Sequence, residues 1–394
     1  MRYLNIYPLL ILVVASGCVN PTRINVTPTT EAPTKIVTTS QPQSQGKYSS
    51  PTPSLTPAPG LISGCGLQLI TDKVSFGGIS ISPDGDLIIF TSGSGQIPYL
   101  SMIQSDGTGY SQLAKTTPFA ADPVWSPDGQ NIAFTKFSQR EGGELFPDIY
   151  LRSLQNPDGL RVTNNPTFTY DWISEIIWSS DGKRIAFTGY NPHKEKSDIY
   201  IVNADGSGLQ RLTYPPNQHY APRWSPDGKK LAYISYSFSG INDRINHLTL
   251  FNLTNGSSEV LSSAPSLAYV NWSLNGDRLL YHSKLTGNNN IYQYILSSGE
   301  EIDLISGASS DMHPSFSPDG LKILFVSDIE GKDDLYLFDV FDETIYRIAE
   351  NYTDDYISNP HWAPDGTKAY FFLSNYLEET NVLYSVDIVD SCEH

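Results

Sequence analysis

A five-residue motif recurs along the chain and constrains its fold more than any other feature. It consists of an aromatic or apolar residue, Ser, Pro, Asp and Gly, and residues 224–228 (Trp-Ser-Pro-Asp-Gly) are a complete copy. The related copies place an Asp or Asn at seven positions: Asp84, Asp128, Asp181, Asp227, Asn275, Asp319 and Asp365. These positions are separated by 44, 53, 46, 48, 44 and 46 residues. Such a period indicates that the chain is an array of structural repeats.

Each motif predicts a tight turn between two strands. Proline fixes φ for the first corner, Asp or Asn bonds its local backbone, and Gly accepts the left-handed conformation that closes the turn. Short runs of strand-forming residues follow in a set order, for example residues 231–233 (Leu-Ala-Tyr), 198–200 (Asp-Ile-Tyr) and 209–213 (Leu-Gln-Arg-Leu-Thr). Such runs are too short for helices, and four strands per repeat predict an all-β, seven-bladed β-propeller.

The two ends of the chain predict how the ring closes. After the last motif the sequence supplies strands only at residues 368–374 and 382–388, which leaves that blade one strand short. Residues 67–71 (Leu-Gln-Leu-Ile-Thr), ahead of the first motif, look like the fourth strand of a blade. We therefore expect the N-terminal strand to complete the C-terminal blade.

Two cysteines flank this predicted closure. Cys65 precedes the N-terminal strand and Cys392 follows the final C-terminal strand, so an antiparallel pair would bring them together. A disulfide requires Cα atoms within about 7 Å, and such bonds persist in exported proteins. The sequence favours a disulfide between Cys65 and Cys392, and two unpaired thiols are the alternative.

The first 63 residues predict export and a tether. Residues 1–18 are typical of a bacterial lipoprotein signal peptide: Arg2 precedes an apolar run over residues 4–14, and Ala-Ser-Gly leads to Cys18, which would receive the lipid. An ordinary secretory signal is the alternative. Residues 19–63 are rich in Thr, Pro and Ser, so we expect a disordered tether ahead of the propeller at residues 64–394. The expected location is extracytoplasmic, with a lipid anchor in the bacterial cell envelope.

Charge and missing motifs argue against several functions. The formal net charge of −17 disfavours a nucleic acid partner, because that binding depends on Lys and Arg at the phosphates. The sequence has no Gly-x-Ser-x-Gly, His-Glu-x-x-His, phosphate-binding loop or Cys-x-x-Cys pattern. It therefore assigns no catalytic residue, no cofactor and no metal site.

Candidate ligand-binding residues lie in the segments that enter the inner strands, because these segments surround the channel of a propeller. Their aromatic, acidic and imidazole side chains suit a peptide or sugar, through ring stacking and hydrogen bonds. They are Tyr170, Asp171, Trp172, Glu175, His219, Tyr220, Asp311, His313, Asp355, Tyr356 and His361. The alternative role of each is to fill gaps between blades.

The repeat resembles that of the TolB-like, WD-repeat-like propeller family. The resemblance rests on the pentapeptide followed by residues 185–188 (Ile-Ala-Phe-Thr), 198–200 (Asp-Ile-Tyr), 205–206 (Asp-Gly) and 212–213 (Leu-Thr). It covers about residues 67–388 and implies a non-catalytic scaffold in the cell envelope that binds a protein, peptide or glycan. The repeat is also similar to the propeller parts of tricorn-type and prolyl-oligopeptidase-type proteins, whose nucleophile lies on a separate domain.

A polysaccharide-active enzyme is the alternative function. The architecture resembles the propellers of oligogalacturonate lyases, which hold a metal through histidines on one face. That resemblance would require His219, His313 and His361 to converge near the channel. They precede the aromatic residue of their motifs by five, three and one residues, and such unequal offsets disfavour a shared metal.

Overall fold

The computed structural model describes residues 62–93, 98–113, 120–139, 145–156, 159–163, 172–191, 196–238, 244–375 and 380–388. All of these residues belong to one compact unit, Ser54–His394. Its regular elements within these ranges are β-strands. Within the same ranges, no helix has the length and hydropathy needed to cross a membrane.

The strands form antiparallel four-stranded units, one for each motif. The first strands are β1 (Ile62–Gly64), β2 (Gln68–Ile81), β3 (Leu87–Ser92), β4 (Tyr99–Gln104), β5 (Ser111–Gln112), β6 (Ala120–Trp125), β7 (Ile132–Gln139), β8 (Leu145–Arg152), β9 (Leu160–Arg161), β10 (Trp172–Trp178), β11 (Arg184–Asn191), β12 (Lys196–Asn203) and β13 (Gln210–Arg211). The second half contains β14 (Gln218–Trp224), β15 (Lys230–Phe238), β16 (Arg244–Asn252), β17 (Ser258–Ala264), β18 (Ala268–Trp272), β19 (Arg278–Ser283), β20 (Asn290–Ile295), β21 (Glu300–Ile305), β22 (Asp311–Phe316), β23 (Lys322–Ser327), β24 (Asp334–Asp339), β25 (Ile345–Asn351), β26 (Tyr356–Trp362), β27 (Lys368–Asn375) and β28 (Thr380–Asp387).

The long strand β2 joins the two ends of the ring. Its first half pairs with β28, where Gln68 lies opposite Ser385, and its second half pairs with β3, where Ile79 lies opposite Phe90. The strand order is therefore β26-β27-β28-β2-β3-β4-β5. This pairing confirms that the N-terminal strand completes the C-terminal blade. We number the blades 1 to 7 from β2–β5 to β26–β28.

Strand β1 is an addition that the repeat pattern did not predict. It pairs with β25 as a fifth strand of blade 6, with Ile62 opposite Asn351 and Gly64 opposite Ala349. A Cβ atom on Gly64 would lie 2.6 Å from the carbonyl oxygen of Ile348, so the close approach requires glycine. Strand pairing thus begins two residues ahead of the predicted start of the propeller.

The pentapeptide forms the turn that its composition predicts. In the copy at residues 224–228, Ser225 Oγ donates to Asp227 Oδ1 at 2.6 Å, and Gly228 N donates to Ser225 O at 2.9 Å. Gly228 has φ +66°, in the left-handed region that glycine favours. Pro226 lies toward the next blade, where a Cβ on Gly276 would be 3.2 Å from its Cδ. The turns of neighbouring blades therefore pack side by side.

In four of the seven motifs the tryptophan hydrogen-bonds the blade before it. Trp178 Nε1 donates to Val124 O at 3.3 Å, and Trp272 Nε1 donates to Arg223 O at 3.0 Å. Trp224 and Trp362 make the same bond to their preceding blades. The indole nitrogen of Trp125 is buried without a hydrogen-bond partner among the described residues. The motif thus supplies both a turn and a contact between blades.

The Asp of the third strand is also a packing element. Asp198 is 5% exposed, and its carboxylate accepts from Arg211 Nη2 at 2.5 Å and from Thr213 Oγ1 at 3.2 Å. The Thr213 hydroxyl in turn accepts from Ile199 N at 2.9 Å. Blade 2 repeats this arrangement around Asp148. Because a buried charge needs a partner, the Arg and Thr of the fourth strand accompany this Asp.

Candidate functional site

The inner strands share a distortion that places one side chain of each toward the channel. Six of them contain a register shift three residues before the motif aromatic. The residue at this point has φ between 45° and 57°, a left-handed conformation that is uncommon outside glycine. We call these residues the bulge ring: Asp122, Glu175, Ala221, Tyr269, His313 and Asn359. Tyr269 OH of blade 5 donates to Asn359 Oδ1 of blade 7 at 3.2 Å, which places both side chains in the channel.

Acidic side chains occupy the ring at blades 2 and 3. Glu175 Oε2 accepts from Thr188 Oγ1 and from Ala221 N of the next blade, both at 2.6 Å. Asp122 N donates to Thr91 Oγ1 of the preceding blade at 3.1 Å. Burial, with a smaller contribution from the charge of Glu175, raises the pKa of Asp122 to about 6. This side of the channel therefore presents two carboxyl groups that interact with each other.

At blades 5 and 6 the residues of the bulge ring are Tyr269, which is aromatic, and His313, which carries an imidazole. The Tyr269 ring lies 4.1 Å from that of His313 and 5.3 Å from that of His282, measured between centroids. His313 N donates to His282 Nδ1 at 3.2 Å, so this imidazole nitrogen is unprotonated. Burial lowers the pKa of His313 to about 4 and holds that of His282 well below its usual value. Both histidines are therefore neutral at physiological pH.

One polar atom in this cluster has no partner. His313 Nδ1 is shielded from solvent and makes no hydrogen bond to the described residues. A buried ring nitrogen in this state costs free energy, on the order of 1–3 kcal/mol. A ligand that hydrogen-bonds this nitrogen would remove the cost.

A second level of the channel lies two residues further along the inner strands. It includes Arg223 of blade 4 and His361 of blade 7, both partly buried. Burial, followed by the positive charge of Arg223, lowers the pKa of His361 to about 4. Arg223 Nη1 donates to Pro222 O at 2.9 Å. The channel thus presents a cation at this level and carboxyl groups at the bulge ring.

Aromatic side chains form a rim at the entrance near blade 4. The Arg244 guanidinium lies 3.8 Å from the ring centroid of Tyr236, and its Nη2 donates to Tyr220 OH at 2.8 Å. Tyr236 also makes an edge contact with Phe238, which is 62% exposed. Trp172 packs against Phe137 of blade 2 at 6.3 Å. We call Phe137, Trp172, Tyr220, Tyr236, Phe238 and Arg244 the aromatic rim.

Two predicted ligand-binding residues lie between blades instead of in the channel. His219 is 7% exposed, with Nδ1 3.3 Å from Asp198 Oδ1 and its ring against Tyr233. Asp311 is fully buried and accepts from Ser327 Oγ at 2.5 Å. Both stand five residues ahead of the motif aromatic, where side chains pack into the blade interface. For these two residues the contacts favour the gap-filling alternative.

The remaining predicted residues are divided between the channel, the loops and the undescribed part of the chain. Asp355 Oδ1 accepts from Asn375 Nδ2 at 2.6 Å, and Tyr356 begins β26 half-buried. Trp172 and Tyr220 belong to the aromatic rim, and Glu175, His313 and His361 line the channel. The predicted residues that lie outside the described ranges are Cys18, Tyr170, Asp171 and Cys392.

Sequence reasoning missed several residues of this site. Asp122, Tyr269 and Asn359 hold the bulge position, and His282 lies on a second strand. A register alignment of the inner strands would have found the first three, because each precedes its motif aromatic by three residues. His282 gives no such signal.

The three histidines of the metal hypothesis occupy three different levels. His219 contacts Asp198, His313 contacts Tyr269 and His282, and His361 lies near Arg223. Among the described residues, no group of three His, Cys, Asp or Glu side chains could hold a metal ion.

These features define a β-propeller with a polar channel and an aromatic rim at its entrance. The family description "TolB beta propeller domain" matches residues 111–269 and 217–388, which together make up more than half of the chain. The chain therefore belongs to the TolB β-propeller domain family. This result agrees with the family that the repeat resembles.

Curated relatives are similar over part of their length. The chain is 26% identical over 326 residues to dipeptidyl-peptidase 5 of Porphyromonas gingivalis, covering 57% of this chain and 48% of the relative. It is 26% identical over 270 residues to the Tol-Pal system protein TolB of Francisella tularensis subsp. mediasiatica, covering 55% and 59%. It is 27% identical over 157 residues to a TolB homolog of Chlorobium luteolum, covering 39% and 32%. The chain thus spans from about a third to somewhat over half of these proteins.

Solved structures share the fold at low identity. A puromycin-hydrolyzing peptidase of Mycobacterium tuberculosis superposes with a TM-score of 0.61 at 14% identity, covering 82% of this chain and 53% of the other. The β-propeller domain of the Trilobed protease from Pyrococcus furiosus gives 0.58 at 15% identity, covering 82% and 97%. An oligogalacturonate lyase in complex with manganese gives 0.52 at 18% identity, covering 66% and 75%. At these identities the likeness concerns the fold alone.

Proposed function

We propose that the protein is a non-catalytic recognition scaffold of the cell envelope that binds a partner protein at the channel entrance. The observation that carries this proposal is the bulge ring. Six inner strands adopt a left-handed conformation at one level, and five of these residues are polar or aromatic: Asp122, Glu175, Tyr269, His313 and Asn359. Such a conformation costs a non-glycine residue about 1–3 kcal/mol, and strain of this kind is concentrated at functional sites.

A protein partner fits the chemistry of the entrance. Tyr and Trp rings provide large rigid contacts, while the carboxyl groups offer hydrogen-bond acceptors to an inserted side chain. The relatives include proteins named for the Tol-Pal system, which supports a protein over a glycan as partner. The names of these relatives also support an extracytoplasmic location.

The proposal includes the predicted organisation of the two ends. The signal peptide at residues 1–18, the lipid on Cys18 and the tether over residues 19–63 would place the propeller at a membrane surface. At the other end, Asp387 N donates to Cys65 O at 2.9 Å, five residues ahead of Cys392. This contact supports a Cys65–Cys392 disulfide that fixes the closing strands.

Photocross-linking from the aromatic rim tests the proposal. The full chain is made in its own envelope with a benzophenone amino acid in place of Phe238, and the control carries it at Val260, an equally exposed position on the outer strand of the same blade (62% and 56%). We expect a protein adduct from position 238, weakened by Glu175→Gln, and none from position 260. The absence of a protein adduct at both positions, with the chain folded, would contradict a protein partner.

Elemental analysis tests the enzyme alternative. The purified full chain and a His313→Ala variant are compared for bound metal, because His313 carries the unpartnered channel nitrogen. We expect no stoichiometric metal in either protein. Metal that is present in the wild type and lost in the variant would overturn the non-catalytic proposal and direct attention to lyase assays on acidic oligosaccharides.

A further inference from the structure

The repeat reveals an apolar surface on blades 5 and 6, because most other blades carry proline or polar residues at the positions of Leu274, Leu321 and Phe341. This surface lies at the end of the blades opposite the channel entrance, where the motif turns are found. It consists of Leu274, Leu321, Phe341 and Ile345, which are 65%, 58%, 94% and 41% exposed. We call these four residues the turn-face patch.

Leu274 interrupts the contacts between neighbouring motif turns. It stands where five of the seven motifs have proline. Each of those prolines lies close to the glycine of the next turn, at 3.2–3.9 Å from the position of an added Cβ. Nothing lies within 4 Å of that position at Gly320, the glycine that follows Leu274. The leucine therefore leaves an open space beside an exposed apolar side chain.

Leu321 and Phe341 adjoin each other on blade 6. Val340 N donates to Leu321 O at 2.9 Å, which brings the two turns of the blade together. At the position of Leu321 the other six blades have polar residues: Asp86, Gln130, Lys183, Lys229, Asp277 and Thr367. At the position of Phe341, four blades have polar residues, Asp106, Asp205, Thr254 and Ser297. Packing of the repeat does not require apolar side chains at either position.

We propose that the turn-face patch docks a segment of a second protein that presents a large apolar side chain flanked by Lys or Arg. An apolar group of this kind on an otherwise polar surface is typical of an interaction site. Acidic residues border the patch, so charge complementarity favours a partner segment that carries positive charge. Asp342 and Glu343 are exposed and make no ion pair with the described residues, whereas Asp339 already pairs with Lys322 at 3.5 Å.

Charge complementarity also makes a second copy of this chain a less favourable partner for the turn-face patch. Self-association through the patch would bring two acidic borders together, and the chain carries a net charge of −17. Like charges held close at an interface are repulsive. The proposed surface is also separate from the aromatic rim, so the two surfaces can bind different segments.

Photocross-linking from Phe341 tests this proposal in the full chain in its own envelope. The control carries the benzophenone amino acid at Thr254, the corresponding position of blade 4. We expect a protein adduct at position 341 that exceeds the control, and mass spectrometry should map it to a segment with an apolar residue beside Lys or Arg. A synthetic peptide of that segment should bind the purified chain and weaken in high salt.

Repeat-derived substitutions provide the matched variants. Leu274→Pro and Leu321→Thr introduce residues that other blades have at these positions, so we expect the fold to be retained. Together they should weaken binding of the peptide about tenfold, while the adduct formed from Phe238 at the aromatic rim persists. An adduct with a second copy or with lipid, a mapped segment without basic residues, or unchanged peptide binding in the double variant would each overturn the proposal. Loss of the Phe238 adduct alone would instead count against the proposed channel function.

Discussion

Replacing Asp311 with Asn should stabilise the protein at neutral pH. The Asp311 carboxyl group is fully buried between blades, and burial raises its pKa from 3.8 to about 6 despite the hydrogen bond from Ser327. A shift of about two units corresponds to about 3 kcal/mol at 1.36 kcal/mol per unit. Asparagine keeps an acceptor for Ser327 and carries no charge. At pH 8 we therefore expect Asp311→Asn to raise the free energy of unfolding by up to about 3 kcal/mol.

The stabilisation by Asp311→Asn depends on pH, because the buried carboxyl group destabilises the folded wild type only when it is ionised. Below pH 4 the carboxyl group is protonated in both the folded and the unfolded chain, so its burial does not lower the free energy of unfolding of the wild type. Between about pH 4 and 6 the folded chain binds more protons than the unfolded chain, and stability falls as the pH rises. Above pH 6 both forms are ionised and the full penalty applies. The advantage of the variant should therefore appear between pH 4 and 6 and be constant above that range.

Denaturant unfolding of the two proteins across pH 4 to 8 measures this difference. Asp319→Asn is a control of opposite sign, since the hydrogen bond from Ser317 lowers the pKa of Asp319 in the motif turn. Its wild-type carboxylate contributes stability above pH 4 that is lost as the pH falls, so this variant should be less stable than the wild type at pH 8. A pH-independent difference for Asp311→Asn would refute the reasoning and show that the group is already neutral or already solvated.

Three further predictions concern contacts between blades and the chain ends. Trp178→Phe should cost about 2 kcal/mol more in unfolding free energy than Trp125→Phe, because only the indole of Trp178 has a hydrogen-bond partner and both rings are similarly buried; equal losses in denaturant midpoints would contradict this. Thiol titration of the denatured, unreduced protein should find Cys65 and Cys392 unreactive, and reduction should lower stability by about 4 kcal/mol; two reactive thiols would exclude the disulfide. Mass spectrometry of the mature protein should find lipid on Cys18, and an unmodified N-terminus at another residue would favour an ordinary secretory signal.

The sequence predicted the architecture because the repeat encodes it locally. The pentapeptide contains the residues that its turn requires, and the Ser225, Asp227 and Gly228 contacts are those expected from their chemistry. Ring closure was predictable for the same reason, since counting strands per repeat leaves one strand missing at one end and one spare at the other. Strand β1 was not predictable, because its pairing with β25 depends on an edge that exists only in the folded blade.

The site was predicted less well because channel and interface positions alternate within a few residues. His219 and His313 look alike in the sequence, yet the first packs against Asp198 and the second lines the channel. The difference comes from the bulge, because His219 lies two residues before it whereas His313 occupies the bulge position itself. A left-handed conformation at a non-glycine residue depends on the surrounding fold, so propensity gives no sign of it.

The bulge also explains how one repeat can serve both packing and recognition. The residue directly after the bulge position is buried and apolar in all seven blades: Ile79, Pro123, Ile176, Pro222, Val270, Pro314 and Pro360. The bulge position itself ranges over Gly, Asp, Glu, Ala, Tyr, His and Asn. Since neighbouring residues carry the two roles, the channel side chains can vary without disturbing the interface that holds the blades together. A variant such as Glu175→Gln should therefore alter binding while leaving the blade contacts of Ile176 unchanged.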